Sequence, residues 1–228
     1  MRQLKVLVAC EESQRVCAAL RELGHEAYSC DVIDPSGGHP EWHIKGDVIP
    51  LLNGNVSFTD VSGGEHYIDG RWDLIIGFPP CTYLTNASAV RMRTNGVLNL
   101  ERYKKAMEAR EFFLSILNAD CDHICIENPV PLKIVNLPPY NQIIQPWQFG
   151  HPWTKRTCLW LKNLPPLMPT EIVSIEGYWI GAHGHEKAKN GMSQGFRDPK
   201  KRSKTFEGIA KAMATQFTDF VLNNRNNK

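Results

Sequence analysis

The chain contains 228 residues with a formal net charge of +2, and 42% of its residues are hydrophobic and 22% are charged. At about 100–200 residues per domain, this length indicates one domain whose core is large enough to need neither disulfides nor metals. No apolar stretch reaches about 18 residues and the first residues lack the features of a signal peptide, so we expect a cytoplasmic protein without a membrane span.

Strand-like and helix-like segments alternate along the chain. Short apolar runs typical of buried strands occur at Lys5–Cys10, Ala27–Cys30, Asp73–Gly77, His123–Ile126 and Cys158–Leu161. Apolar residues at helical spacing occur over 13–24, 103–117 and 206–221. This alternation predicts an α/β fold with a doubly wound, mostly parallel sheet.

The remaining segments complete the predicted organisation. Residues 35–70 are rich in Gly, Pro and Asn, which favours an irregular segment with one short element near Ile49–Leu52. Residues 163–202 carry several glycines and a cluster of basic residues, which indicates a basic loop or insert. We expect a single domain over 1–222 and a frayed tail over 223–228.

Two motifs place reactive groups at the ends of predicted strands. Phe-Pro-Pro precedes Cys81 after one strand, and Glu127 precedes Asn-Pro after a later one. Proline stiffens the backbone at both points, and ligands of open α/β sheets bind outside the carboxyl ends of the strands. A thiolate is a strong nucleophile and a carboxyl group beside it can hold a proton, so the two could act as a pair. The alternative for Cys81 is a small buried residue.

These motifs, in this order, resemble those of the DNA cytosine-5 methyltransferase family. In that family one strand ends in a Pro-Cys loop and a later strand ends in Glu-Asn-Val or a variant. The segment Lys155–Trp160 resembles the family's basic motif, and residues 203–210 occupy the place of its last motif. The pattern covers most of residues 4–221 and is similar to short methylase-like proteins of phages and prophages. It implies a sheet of the S-adenosylmethionine-dependent methyltransferase type.

The resemblance also implies a mechanism, in which S-adenosylmethionine is the methyl donor and a cytosine ring is the acceptor. Cys81 would add to carbon 6 of the ring, which makes carbon 5 nucleophilic. Glu127 would contact ring nitrogen 3 and neutralise the charge that accumulates during the addition. Arg156 would bind the ring carbonyl or a neighbouring phosphate, unless it is an ordinary surface arginine.

Several residues near the ends of the first strands are candidates for binding this donor. They are Cys10, Glu11, Ser13, Asp31, Asp47 and Phe78. Asp31 is placed to accept hydrogen bonds from ribose hydroxyls, and Asp47 resembles the family's contact to the adenine amino group. Each aspartate could instead be a turn or capping residue. The segment Cys10–Ser13 replaces the family's glycine-rich turn, and Glu11 or Glu12 could contact the amino group or the sulfonium side of the donor.

The segment available for DNA recognition is short. Only 46 residues separate Arg156 from Ser203, so a target-recognition domain is minimal or absent. The candidate DNA-binding residues are Lys155, Lys200, Lys201 and Arg202; the alternative is a solvated loop. The aromatic residues Trp160, Tyr178 and Trp179 either stack on nucleic acid or pack in the core. We expect DNA as partner, and a homodimer or a partner subunit could supply target recognition.

The sequence therefore favours a DNA cytosine-5 methyltransferase that works through a covalent cysteine adduct. Two alternatives stay open: the same chemistry on a free pyrimidine nucleotide, and a non-catalytic methylase-like protein that binds nucleic acid. We expect no metal site, since neither the Cys121, His123 and Cys125 group nor the His183 and His185 pair has zinc spacing. The seven cysteines lack CxxC pairs, which favours reduced thiols.

Overall fold

The computed structural model describes residues 3–85, 89–178, 193–194 and 203–226. Its strands are β1 (Lys5–Ala9), β2 (Glu26–Asp31), β3 (His43–Lys45), β4 (Val56–Thr59), β5 (Glu65–Ile68), β6 (Leu74–Gly77), β7 (Arg93–Thr94), β8 (Val97–Leu98), β9 (Ile124–Pro129), β10 (Gln142–Ile144), β11 (Trp153–Thr154), β12 (Thr157–Lys162), β13 (Gly177–Tyr178) and β14 (Ser193–Gln194). The α-helices are α1 (Arg15–Glu22), α2 (Ala89–Met92), α3 (Leu100–Leu117) and α4 (Glu207–Asn226). Short 3₁₀ turns cover Pro40–Trp42, Ile49–Leu51, Lys133–Val135 and Pro146–Gln148.

Seven strands form the main sheet in the order β10-β12-β9-β6-β1-β2-β3. The pairs from β9 to β3 are parallel, and β12 is antiparallel to both β9 and β10. The chain moves outward from β1 to β2 and β3, then returns to the other side of β1 to form β6 and β9. The α/β fold and the mostly parallel sheet are confirmed, and the strand order reverses between β1 and β6, where sheets of this kind bind ligands.

Helices cover both faces of the sheet, because each central strand is apolar on both sides. Leu7, Ile75 and Ile126 face the side on which α3 packs with Phe113 and Ile116. The alternate residues, including Val6, Val8 and Ile76, face the side covered by α1 and α4. A parallel strand that is buried on both faces reads as a continuous apolar run, which is why these strands were predictable.

The segment over 35–70 is more regular than its composition predicts. The short element near Ile49–Leu52 is present as a 3₁₀ turn. The expectation of an otherwise irregular segment is wrong, because β3 joins the main sheet beside β2 and β4 pairs with β5 in an antiparallel hairpin. Glycine and asparagine residues stand in the turns between these strands, so composition alone suggested a loop.

Further elements lie in the C-terminal part of the chain. The described part of the segment 163–202 contributes β13 and β14, which form a small parallel sheet with β11. Helix α4 continues to Asn226, and the fraying expected over 223–228 stays a prediction. Among the described residues no helix is both long and apolar enough to cross a bilayer.

Candidate active site

The loop that follows β6 carries Cys81 at the carboxyl edge of the sheet, next to the reversal of strand order. Phe78, partly buried, extends the pairing of β6 with β1, since its amide donates to the carbonyl of Ala9 over 2.9 Å. The Cys81 side chain is exposed. The carbonyl of Cys81 accepts a hydrogen bond from the amide of Leu84 at 3.1 Å, which closes a backbone turn that begins at Cys81. Two prolines and a turn therefore hold an accessible thiol in place.

The end of β9 is joined to this loop by a buried side chain. Asn128 is 1% exposed, and its amide nitrogen donates to the carbonyl of Pro79 over 2.8 Å. Farther along both loops, the amide of Leu132 donates to the carbonyl of Leu84 over 2.7 Å. The side-chain oxygen of Asn128 is buried and has no hydrogen-bond partner among the described residues. The two strand ends that carry Cys81 and Glu127 thus form one structural unit.

Glu127 precedes Asn128 on β9 and lies partly buried beside the start of β12. Burial raises the pKa of its carboxyl group, while the positive charge of Lys155 and a hydrogen bond with the Thr157 side chain oppose that rise. The antiparallel register pairs Glu127 with Leu159 and Pro129 with Thr157. Because β12 runs opposite to β9, it begins where β9 ends and brings the basic segment to the same edge.

Lys155 and Arg156 precede β12 at this edge. The Lys155 ammonium lies 6.0 Å from the centroid of the Phe206 ring, and its backbone amide donates to the Gln145 side-chain oxygen over 2.9 Å. Arg156 is exposed, and its charge opposes the rise that burial produces in the pKa of Cys158. Both basic residues therefore lie at the edge that also carries Glu127.

Two acidic residues lie at the ends of β2 and β3. Asp31 is partly buried and accepts a hydrogen bond from the amide of Ile33 over 3.3 Å, and burial raises the pKa of its carboxyl group. Asp47 is exposed and accepts from the amide of Ile49 over 3.0 Å. Burial is the main cause that raises the pKa values of Cys10 and Cys30, and the negative charges of both aspartates raise them further. The two aspartates thus act as turn residues and also surround the end of β1.

The segment after β1 uses its glutamate to cap a helix. Glu11 is buried, and its two carboxylate oxygens accept from the amides of Val16 and Cys17 at 2.8 and 3.1 Å. Burial raises the pKa of Glu11 to about 7 although these bonds oppose the rise. Its observed role is that of N-terminal cap of α1, and its contact with a cofactor stays a prediction.

Backbone crowding holds the rest of this segment in place. Cys10 has a left-handed backbone with φ of 60°. Ser13 is buried under the loop that follows β2, where a Cβ on Gly37 would lie only 2.7 Å from the Ser13 carbonyl oxygen. Ser13 is therefore enclosed by the protein, and only glycine fits at position 37.

The segment before α4 contacts the start of α1 and the loop that follows β2. The Lys204 ammonium donates to the Ser36 hydroxyl over 2.7 Å, and the Arg15 guanidinium donates to the Thr205 carbonyl over 2.5 Å. The amide of Gly208 donates to the His151 ring over 3.0 Å. The residues of the last predicted motif thus lie beside the start of α1.

Two residues without a predicted role, Asn128 and Arg102, hold the Cys81 loop. Arg102 of α3 donates to the carbonyl of Thr82 over 3.2 Å. The Asn-Pro pair that follows Glu127 was a signal for Asn128, whereas nothing in the sequence indicated Arg102. Trp160 is 1% exposed and donates to the carbonyl of Pro138, so stacking of Trp160 on nucleic acid is ruled out by its burial.

Other predicted groups lie outside what the structure describes. These are the basic residues Lys200, Lys201 and Arg202, together with Trp179, His183, His185 and the side chain of Tyr178. In the described ranges no three His, Cys, Asp or Glu residues are grouped so as to hold a metal ion.

Comparisons with known proteins find similarity in structure but not in sequence. No family model matches the chain, and no curated protein matches it in sequence. A crystal structure of a proposed DNA modification methyltransferase encoded within an E. coli prophage aligns with a TM-score of 0.39 and 14% sequence identity, over 74% of this chain and 52% of that one. The chain thus spans about half of that protein, and a similarity of this size transfers neither a fold nor an activity.

Proposed function

We propose that this chain is an S-adenosylmethionine-dependent methyltransferase that modifies carbon 5 of cytosine in DNA. The observation that carries the proposal is the hydrogen bond from Asn128 to the carbonyl of Pro79. It joins the loop of an exposed thiol, Cys81, to the strand end of a partly buried carboxyl group, Glu127. Ligands of doubly wound sheets bind at this edge, so a planar ring entering there would meet both groups.

The residues of this edge have the properties that addition to a pyrimidine requires. Cys81 would add through its thiolate to carbon 6 of the ring, and the new carbon–sulfur bond would leave carbon 5 electron-rich. Because burial raises the pKa of Glu127, this group retains a proton more readily than an exposed carboxyl group and can donate it to ring nitrogen 3. Arg156 would bind the ring carbonyl or a phosphate through its planar fork of donors.

The edge beside β1 and β2 fits the methyl donor by the chemistry of its side chains. Carboxylates accept hydrogen bonds from ribose hydroxyls and amino groups, and Asp31 and Asp47 both lie here. Val32 and Ile33 follow Asp31 and are exposed, which gives an adenine ring an apolar surface. Phe78 lies at the end of β6. S-adenosylmethionine bound here would supply an electrophilic methyl group.

A trapping experiment tests the proposal directly. The protein is incubated with S-adenosylmethionine and duplex DNA that contains 5-fluorocytosine, whose fluorine prevents release of the adduct. We expect the wild type to form a complex that survives denaturing electrophoresis and Cys81→Ser to form none. The matched control is Cys158→Ser, which replaces a buried thiol on β12 and should still form the complex. Equal yields from the wild type and Cys81→Ser would remove Cys81 from the mechanism.

One observation favours the alternative of a non-catalytic nucleic-acid-binding protein. The N-terminus of α1, which in many nucleotide-binding sheets faces the ligand, is capped here by the buried carboxylate of Glu11. Calorimetric titration with S-adenosylmethionine separates the two functions, since saturable heat is expected only of the methyltransferase. Mass spectrometry of DNA and of dCMP after reaction then distinguishes polymer from free nucleotide as the substrate.

A further inference from the structure

A short hairpin projects from the segment between Cys81 and α3. It consists of β7 and β8, joined by Asn95 and Gly96, whose φ values of 50° and 80° are those of a tight two-residue turn. The amide of Asn99 donates to the carbonyl of Met92 over 2.9 Å and closes its base. We call residues 91–98 the arginine hairpin, because Arg91 and Arg93 are both exposed on it.

The surface of the arginine hairpin combines positive charge with exposed apolar side chains. Val97 is 71% exposed and Leu100, directly after the hairpin, is 73% exposed. Neither Arg91 nor Arg93 forms an ion pair with any described carboxylate; Arg93 donates to the carbonyl of Gly96 over 3.0 Å. The sequence from Cys81 to Leu100 contains no acidic residue. This surface is therefore complementary to a polyanion.

The arginine hairpin is attached to the loop of the proposed nucleophile. Asn99 follows the hairpin and caps α3 by accepting from the amide of Arg102 over 3.0 Å. The Arg102 guanidinium in turn donates to the carbonyl of Thr82 and lies 5.0 Å from the centroid of the Tyr83 ring. A continuous set of contacts thus leads from the hairpin to the residue after Cys81.

We propose that the arginine hairpin is a DNA-binding element, in which Arg91 and Arg93 contact phosphates and Val97 contacts the sugars or base edges. Proteins that deform DNA commonly combine such cations with an apolar side chain that enters a groove. The inference rests on the proposed function for the identity of its partner. It gives a chain with a short recognition segment a second surface for its substrate, contiguous with the site of reaction.

Salt-dependent binding tests the inference without requiring any chemistry. The affinity of Cys81→Ser for a labelled duplex of roughly 20 base pairs, about two helical turns, is measured by fluorescence anisotropy over a range of salt concentrations. We then add Arg91→Gln and Arg93→Gln to this parent and expect binding to weaken about 10- to 100-fold at low salt. The salt slope, which is the slope of the logarithm of the binding constant against the logarithm of the salt concentration, should fall in magnitude by about 2, since each phosphate contact contributes about 0.9.

The apolar contact is tested separately, with matched controls. Val97→Ser should weaken binding by about tenfold without changing the salt slope, because an apolar contact releases no counterions. Val61→Ser, which alters an exposed valine in the turn between β4 and β5, and Lys211→Gln on the outer face of α4 should leave affinity and slope unchanged. Circular dichroism establishes that each variant is folded.

The outcomes separate this inference from the proposed function. If the double arginine variant keeps the salt slope of its parent, or if the parent does not bind DNA, the inference is overturned whatever the trapping experiment shows. If the slope falls while the wild type forms no adduct with 5-fluorocytosine, the hairpin binds DNA and the proposed chemistry is wrong. An arginine variant that changes self-association of the chain but not DNA binding would assign the surface to a protein contact and overturn the inference.

Discussion

Adjacent residues on β9 have different tasks in the candidate site. Glu127 carries a carboxyl group whose pKa is raised by burial, whereas Asn128 holds the backbone of the loop that presents Cys81. In the described part of the chain the side-chain oxygen of Asn128 has no partner. The hydrogen bond from its amide nitrogen to the Pro79 carbonyl must therefore offset the desolvation of the whole amide. This bond connects β9 to the Cys81 loop, which indicates a role in geometry.

Replacement of Asn128 by alanine tests this role. Asn128→Ala removes the bond to the carbonyl of Pro79 and leaves that carbonyl without this donor, so we expect the free energy of unfolding to fall by about 1–3 kcal/mol. The Cys81 loop loses its connection to β9, and the rate of adduct formation with 5-fluorocytosine DNA should fall by about 10- to 100-fold, since small displacements of a nucleophile have effects of this size. Urea unfolding and a time course of trapping measure the two effects.

The matched variant is Glu127→Gln on the same strand. It preserves shape but cannot hold a transferable proton, so the rate of trapping should fall while stability changes little. If Asn128→Ala also left stability unchanged, or if it trapped at the wild-type rate, Asn128 would have no positioning role. The resemblance identifies Cys81 and Glu127 as candidate residues, and their roles stay predictions. The contact of Asn128 with the Cys81 loop depends on the distance between two loops and is visible only in three dimensions.

The β4–β5 hairpin is held by a polar cluster at its turn. Asp60 is buried and accepts hydrogen bonds from the Ser62 hydroxyl at 2.6 Å and the amide of Gly64 at 3.0 Å, and it is paired with His66 at 2.7 Å. The other ring nitrogen of His66 lies 3.0 Å from the Tyr28 hydroxyl. Tyr28 belongs to β2, so this cluster fastens the hairpin to the main sheet.

Asp60→Asn should destabilise the protein, with an effect that depends on pH. Burial alone would raise the pKa of Asp60, but hydrogen bonds from His66, Ser62 and Gly64 lower it to about 2 in the folded protein, against about 4 when unfolded. The stabilisation is therefore complete above about pH 4 and is lost as the pH falls through 2. We expect a loss of about 1–3 kcal/mol at pH 6, which shrinks toward pH 2, measured by urea unfolding.

Asp34→Asn provides the control for this prediction. Asp34 pairs with Lys45 at 2.8 Å, but both side chains are well exposed, so the pair is expected to contribute little. A pH-independent effect of Asp60→Asn, or equal effects of the two variants, would show that the Asp60 cluster does not hold the hairpin.

The elements that sequence analysis missed owe their conformation to distant partners. β3 contains two polar residues among three, and His43 is nevertheless buried, with one ring nitrogen 2.8 Å from the Ser29 hydroxyl and the other 3.0 Å from the Ile33 carbonyl. No apolar period could reveal such a strand, because hydrogen bonds to β2 and its following loop compensate its polarity. The central strands were predictable because apolar burial alone determines them.

At the scale of the whole molecule, the last helix, α4, packs against the first helix, α1. Both helices lie on one face of the sheet, and the segment before α4 contacts the first residue of α1 and the loop that follows β2. The position of α4 along its axis depends on Gly208. A Cβ at this residue would lie 1.9 Å from the carbonyl oxygen of Phe149, far inside the normal contact distance.

Gly208→Ala should therefore destabilise the protein, although alanine normally favours a helix over glycine by about 1 kcal/mol. The added methyl group must displace the first turn of α4, at a cost of about 1–3 kcal/mol, and this would weaken the bonds of Lys204 to Ser36 and of Arg15 to Thr205. Because these bonds lie beside the proposed donor site, the affinity for S-adenosylmethionine should fall as well. Thermal unfolding and calorimetry measure both effects, and Lys211→Ala, on the exposed face of the same helix, should change neither. A Gly208→Ala variant as stable as the wild type would show that α4 does not depend on this close approach.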